Sequence, residues 1–186
     1  MAQISTHAEE LAARFDARPP HVESGMVSKW RVDGVQARFR KKQPVVVIGP
    51  VFTELSAQEK EGALAEAVVL LDILWTGRYY PLTAATLVVL APYLLLSFFA
   101  GGFGLSPWLW GSAWLALFVL GRAAAQLIWS RIAIHRMDRR VAEVLGRPML
   151  NIVLDLDDRT RSQVRGRAGI LVKLTMPSKA RRLNAL

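Results

Sequence analysis

The sequence predicts an α+β fold in which a cytoplasmic domain is interrupted by a two-helix transmembrane hairpin. Three observations predict it. From Tyr79 to Gly121, a stretch of 43 residues, no Asp, Glu, Lys, Arg or His occurs. Ahead of it, residues 26–48 alternate and then run apolar in the manner of short strands. On both sides, helical patterns are opened by capping residues and closed by glycine or proline.

The chain has 186 residues, enough for one domain and short for two. Hydrophobic residues make up 52%, charged residues 21%, and the mean hydropathy is +0.25. That balance excludes a disordered tail and points toward a membrane. Lys and Arg number 24 against 15 Asp and Glu, a net charge of +9, so an anionic surface is an expected neighbour. A nucleic acid would suit the same charge, but no recognition motif accompanies it, and none is expected as a partner. Cysteine is absent, which excludes disulfide scaffolds, thiolate zinc sites, cysteine nucleophiles and Cys-ligated iron–sulfur clusters. His7, His21 and His135 are the only imidazoles open to a metal.

A membrane-crossing helix needs about 20 apolar residues to traverse a hydrocarbon core of about 30 Å. The uncharged stretch therefore holds two crossings, expected at residues 82–100 and 108–128. Between them, Gly101-Gly102-Phe103-Gly104-Leu105-Ser106-Pro107 reads as a turn. Pro92 falls inside the first span, and Arg122 lies near enough to the end of the second to snorkel. Tyr79, Tyr80, Trp108, Trp110 and Trp129 fall where interfacial aromatic belts belong. The small pairs Ser112/Ala116 and Gly121/Ala125, each four apart, could seat one helix on the other.

Cations crowd the outer flanks. Lys29, Arg31, Arg38, Arg40, Lys41, Lys42 and Arg78 precede the pair, and Arg131, Arg136, Arg139 and Arg140 follow it. The positive-inside rule then expects a multi-pass protein of the cell membrane, with both termini cytoplasmic and its basic collars on anionic headgroups. Residues 1–78 and 130–186 are expected to form the cytoplasmic part and 79–129 the membrane hairpin. No cleavable signal is read at the N-terminus. The alternative, a buried helical pair in a soluble protein, has too little other chain to cover it.

In the first cytoplasmic part, Thr6-His7-Ala8-Glu9 has capping-box spacing and opens a helix that Arg18-Pro19-Pro20 stops. A hairpin is expected over Met26–Phe39, turning at Asp33-Gly34. The cations Arg40-Lys41-Lys42 then lead to an apolar strand, Val45–Ile48, ended by Gly49-Pro50. Ser56-Ala57-Gln58-Glu59 is a second capping box and launches a helix from about Ala57 to Trp75. After the membrane, a helix from about Arg131 to Leu145 ends at the C-cap Gly146. A short helix at 149–154, a loop over 155–169, a strand at 170–174 and a terminal helix through Leu186 complete the reading.

Three segments carry a resemblance. The first is Val45-Val46-Val47-Ile48-Gly49-Pro50, Leu55-Ser56-Ala57-Gln58-Glu59 and Ala63-Leu64-Ala65; the second is Arg131 to Gly146; the third is Thr175-Met176-Pro177-Ser178 with Arg181-Arg182-Leu183-Asn184-Ala185-Leu186. In this order, around a membrane hairpin, they resemble the HtpX / CAAX-prenyl-protease family of membrane zinc metallopeptidases. The resemblance implies a zincin-like cytoplasmic domain. It also implies a site where H-E-x-x-H histidines and a later Glu hold Zn²⁺ while the motif's Glu activates water.

At those positions the chain departs from the family. Aligned on the cap, the first His falls on Glu66, the catalytic Glu on Ala67 and the second His on Leu70. The later zinc Glu falls on Ile134, the following Asp is kept as Asp138, and the late His falls on Met176. Alanine cannot act as a base, and leucine and isoleucine offer a metal no lone pair. No bound zinc, no other cofactor and no catalytic residue are therefore expected. Glu66, Asp72, Asp138 and Glu143 read as solvated or ion-paired helix surface, and His135 as interfacial.

The leading expectation is an integral membrane pseudoprotease that binds a protein or peptide partner, since strand addition at a sheet edge needs backbone only. One alternative is an active peptidase with an atypical site built on Glu66, Asp138 and Glu143. Another is a lipid-facing structural protein.

Overall fold

The computed structural model of the chain describes residues 1–28, 31–77, 79–99 and 107–185. The expected turn residues 101–106, with Lys29, Trp30, Arg78, Ala100 and Leu186, lie outside them, as does the side chain of Trp110. The described architecture is α+β. Its elements are α1 (Ala2–Arg14), β1 (His21–Ser24), β2 (Val35–Arg40), β3 (Gln43–Ile48), a 3-10 turn (Pro50–Glu54), α2 (Ala57–Thr76), α3 (Tyr80–Phe99), α4 (Pro107–Leu145), α5 (Arg147–Gln163), α6 (Gly166–Thr175) and α7 (Lys179–Leu183). They divide into two compact units, Met1–Thr76 with Arg131–Leu186, and Gly77–Ser130.

The first unit is built on a three-stranded sheet of order β1-β3-β2. β3 is central and its Val45–Ile48 run is buried, as a strand covered on both faces should be. β1 pairs with it in parallel, His21 opposite Val45, and β2 antiparallel, Val35 opposite Ile48 and Arg40 opposite Gln43. The hairpin is therefore β2–β3, not the expected Met26–Phe39 pair. Its two-residue turn is Lys41-Lys42, both at positive φ (49° and 69°), where asparagine or glycine is the usual signal. Asp33-Gly34, read as a hairpin turn, instead closes a local loop. The Arg31 guanidinium donates to Asp33 at 3.0 and 2.5 Å, and the Val35 amide donates to Asp33 Oδ1 at 3.3 Å. Gly34 sits at φ +63°, and any Cβ there would meet the Phe52 backbone nitrogen at 2.5 Å.

α2 begins where the capping box puts it. The Ser56 amide donates to Glu59 Oε2 at 3.0 Å, and the Glu59 amide donates back to Ser56 Oγ at 3.3 Å. From Gly62 to Val69 every residue of α2 is buried, because the sheet, α1 and α5 surround it. α1 starts at Ala2 rather than at the Thr6 box, and Thr6 Oγ1 bonds back to the Ala2 carbonyl at 3.2 Å. α5 runs through the expected 155–169 loop to Gln163. Its inward face, Leu150, Val153, Leu154, Asp157 and Thr160, keeps helical spacing but turns polar at its end, which hid the continuation. Residues 170–174 are helical, not a strand: with no sheet edge taken, α6 satisfies its own backbone and its end is closed by the Met176 amide on the Val172 carbonyl at 2.8 Å. The terminal helix stops at Leu183.

In the second unit, α3 and the first part of α4 touch at three places. Tyr80 packs on Trp129 (centroids 4.9 Å apart), a Cβ on Gly121 would lie 3.3 Å from Val89, and Tyr93 meets Trp114 edge-on at 5.2 Å. Trp129 is buried there, whereas Tyr79, Tyr80 and Trp108 are exposed. α4 has 39 residues, about 58 Å of helix. It contains the one described helix long and apolar enough to cross a membrane, Gly111–Leu145, whose apolar window has a mean hydropathy of 1.4 and no buried residue. Leu87, Val88, Leu115, Val119, Leu120 and Ile128 face outward. An apolar helix with no protein cover is weak support for a membrane association and does not fit a soluble core helix.

Candidate functional site

Inside the first unit lies a cluster of charged side chains. Asp33, Glu66, Asp138, Asp157 and Arg182 are all buried, with Asp138 at 0% and Arg182 at 1% exposure, and Arg31 lies beside them mostly buried. Each comes from a different part of the chain. Arg31 and Asp33 belong to the loop before β2, Glu66 to the middle of α2, Asp138 to α4, Asp157 to α5 and Arg182 to α7.

Arg182 is the hub. Its Nε donates to Asp138 Oδ2 at 2.8 Å and its Nη2 to Asp138 Oδ1 at 2.5 Å, a bidentate fork, while Nη1 donates to Asp157. Burial alone would lower the Arg182 pKa, but its hydrogen bonds to Asp138 and the charges of Asp157, Asp138 and Glu66 outweigh it and raise the value. Arg31 is held in the same way by Asp33 and also donates to the Val35 carbonyl at 3.0 Å. Asp157 titrates above its ordinary range because burial outweighs the help of Arg182 and Arg31.

Glu66 differs from the rest. It is 5% exposed and its carboxyl accepts none of the hydrogen bonds found among the described residues; its oxygens are not sealed off, since no side-chain polar atom shut away from solvent there lacks a partner. Burial, followed by the charge of Asp157, pushes its pKa well above the usual 4.5, against the opposing pull of Arg31 and Arg182. It faces a cavity of about 180 Å³ between α2 and β2, lined by Ser28, Arg31, Gln36, Ala37, Glu66, Ala67 and Leu70.

The sequence reading of Glu66 and Asp138 as solvated or ion-paired helix surface is thus corrected in its placement: neither is at the surface, while Asp138 is ion-paired, with Arg182. Both lie on helix faces that continue an apolar stripe, Ala63–Ala67 in α2 and Ala133–Met137–Val141 in α4, and both are inside. Asp72 and Glu143 are ion-paired near the surface, with Arg140 at 2.8 Å and Arg139 at 2.8 Å. The three carboxylates of the atypical-site reading do not converge through any described bond: Asp138 gives both oxygens to Arg182, and Glu143 faces Arg139. Ile134 and Met176 are half-buried, and His135 lines an open surface cavity of about 730 Å³ with Arg136, Arg139 and Arg147. Sequence reasoning missed Arg182 and Asp157 as site residues. For Asp157 the available signal was its i+3 and i+4 spacing from Leu154 and Val153.

Two features bear on the three segments of the resemblance. Glu66, Ala67 and Leu70 line one cavity together, and the Arg182–Asp138 fork ties the third segment to the second. Among the described residues no group of three or more His, Cys, Asp or Glu could hold a metal ion. No protein-family model, curated protein or solved structure matches the chain.

Proposed function

We propose that the chain is a membrane-anchored, non-hydrolytic relative of the HtpX-type zinc metallopeptidases that binds an extended polypeptide along the outer edge of β2. The observation that carries this reading is the cavity between α2 and β2: the positions where such a peptidase would carry the two zinc histidines and the catalytic Glu of its H-E-x-x-H motif line it together, and they are Glu66, Leu70 and Ala67. A carboxyl, a methyl and an isobutyl group supply neither a three-ligand zinc site nor a base poised over one. The strand beside them keeps what polypeptide capture requires, because β2 is an edge strand. Arg40 and Gln43 flank the two-residue turn as a bonded pair, so alternation along the ladder turns the Ala37 and Phe39 amides outward. The exposed apolar surface of α3 and α4 supports the membrane anchor, and the basic flanks support a two-crossing hairpin with both termini cytoplasmic.

The test uses the full chain in detergent micelles and a fluorescently labelled, permanently unfolded polypeptide. Binding without cleavage, unchanged by a chelator, is expected. Ala37→Pro removes one outward amide and leaves the β2–β3 ladder intact, so it weakens binding at least tenfold. Chelator-sensitive hydrolysis with stoichiometric bound zinc, or binding indifferent to Ala37→Pro, overturns the reading.

A further inference from the structure

We propose that the cavity between α2 and β2 is a subsite for a cationic side chain, lysine or arginine, of the bound polypeptide, with Glu66 as its counter-charge. The inference rests on the reading that β2 takes an extended polypeptide and names what that polypeptide presents.

Four carboxyl groups, Asp33, Glu66, Asp138 and Asp157, share two guanidinium groups. Both cations are taken: Arg31 by Asp33 and the Val35 carbonyl, Arg182 by Asp138 and Asp157. Glu66 is the carboxyl left over: it lines the cavity and accepts no hydrogen bond from either guanidinium. A carboxyl that is mostly buried and accepts no hydrogen bond is costly. An incoming ammonium or guanidinium supplies the missing charge and the missing hydrogen bonds together.

The remaining lining suits such a side chain. Ala37, Ala67 and Leu70 give an apolar wall for its methylene stem, and Ser28 and Gln36 offer oxygens beside the carboxyl. At about 180 Å³ the cavity is more than ten times the ~15 Å³ that one water requires, so it admits several heavy atoms. Arg31 also borders it, but its charge is already neutralised by the bidentate Asp33. The cavity borders β2 at Gln36 and Ala37, so a chain lying along that edge can send one side chain down to Glu66. Removal of the counter-charge keeps the shape, since glutamine is nearly isosteric with glutamate.

The experiment compares two labelled extended peptides that differ at one central position, lysine against norleucine, on the full chain in detergent at pH 7.5. The lysine peptide is expected to bind at least tenfold more tightly, and in Glu66→Gln the two should bind alike. n-Butylammonium, which has no backbone, is titrated alone by NMR. Shifts of the Ser28 and Gln36 resonances in wild type but not in Glu66→Gln support the subsite even where neither peptide binds, the result that would remove the β2 reading alone. Peptides that both bind but without a lysine preference leave the β2 reading standing and overturn the subsite. A lysine preference that survives Glu66→Gln overturns it as well.

Discussion

Asp138 and Arg182 lie inside the unit formed by Met1–Thr76 and Arg131–Leu186, while Leu87, Leu115 and Leu120 lie on the outside of the unit Gly77–Ser130. The first unit buries ionisable groups; the second leaves leucines exposed among the described residues. Each arrangement is unfavourable in isolation, and each calls for a different partner. Buried carboxylates persist because guanidinium forks return the electrostatic energy lost on leaving water. Exposed leucines persist where the surroundings are hydrocarbon, because lipid chains are as apolar as the side chains themselves. Residue hydrophobicity alone therefore locates neither the inside nor the outside of this chain. What a side chain touches decides its place.

The sharpest way to break the first half of that contrast is Arg182→Met. The substitution leaves Asp138 and Asp157 buried and without their shared cation. Removing one partner of a buried pair costs about 3–5 kcal/mol, and at about 2–4 °C per kcal/mol for a chain of this size the Tm should fall by on the order of 10 °C. Thermal unfolding in detergent measures it. Adding Asp138→Leu to Arg182→Met should recover part of the loss, because one orphaned charge is then gone. A single variant as stable as wild type would mean that the cluster contributes nothing to the fold.

The second half is tested by Leu117→Arg, on the outward surface of α4. If that surface meets hydrocarbon, a cation there disfavours insertion by about 2.5–3.5 kcal/mol. Met26→Arg is the matched change in the other unit, where Met26 is 95% exposed and a cation should alter stability by about 0.5 kcal/mol or less. The expected readout is a shift of the Leu117→Arg protein, and not of the Met26→Arg protein, from the membrane pellet to the carbonate-extracted fraction. Equal behaviour of the two would remove the difference between the units.

The same contrast explains what was legible in the sequence. The Ser56/Glu59 cap was readable because both partners lie within one turn, and α2 starts beside it. The uncharged stretch was readable because composition alone marks it. The β2–β3 hairpin was not, since Lys41-Lys42 carries none of the usual turn chemistry and Asp33-Gly34 supplies a stronger local signal for a different job. The end of α5 was lost for a related reason: Asp157 and Thr160 face inward, so the stripe that marks a helix goes polar where Arg182 arrives from 25 residues away. In the candidate site, the resemblance marked the positions Glu66 and Asp138, but their burial depends on Arg31, Asp157 and Arg182, which no local pattern connects to them.

The smallest expected effect concerns Glu66 and its pH dependence. Its pKa in the folded protein is raised above the ordinary 4.5, chiefly by burial and then by Asp157, with Asp33 adding to it and Arg31 and Arg182 opposing. A carboxyl with a raised pKa holds its proton in the folded state at pH values where the unfolded chain has already released it. Folding therefore gains from this group below about pH 4.5, and the gain is lost as pH rises toward the folded-state value. Across that window each pH unit costs at most about 1.4 kcal/mol per group. Asp157 adds a slope of the same sign, since burial raises it too. Glu66→Gln removes the first contribution, so its stability curve should fall less steeply above pH 4.5 and cross above wild type at neutral pH. Denaturant titrations at several pH values measure both slopes. Parallel curves would show that Glu66 is as well solvated in the fold as in the unfolded chain, and the contrast between a buried surplus charge and a bare apolar surface would narrow to the Arg182 fork alone.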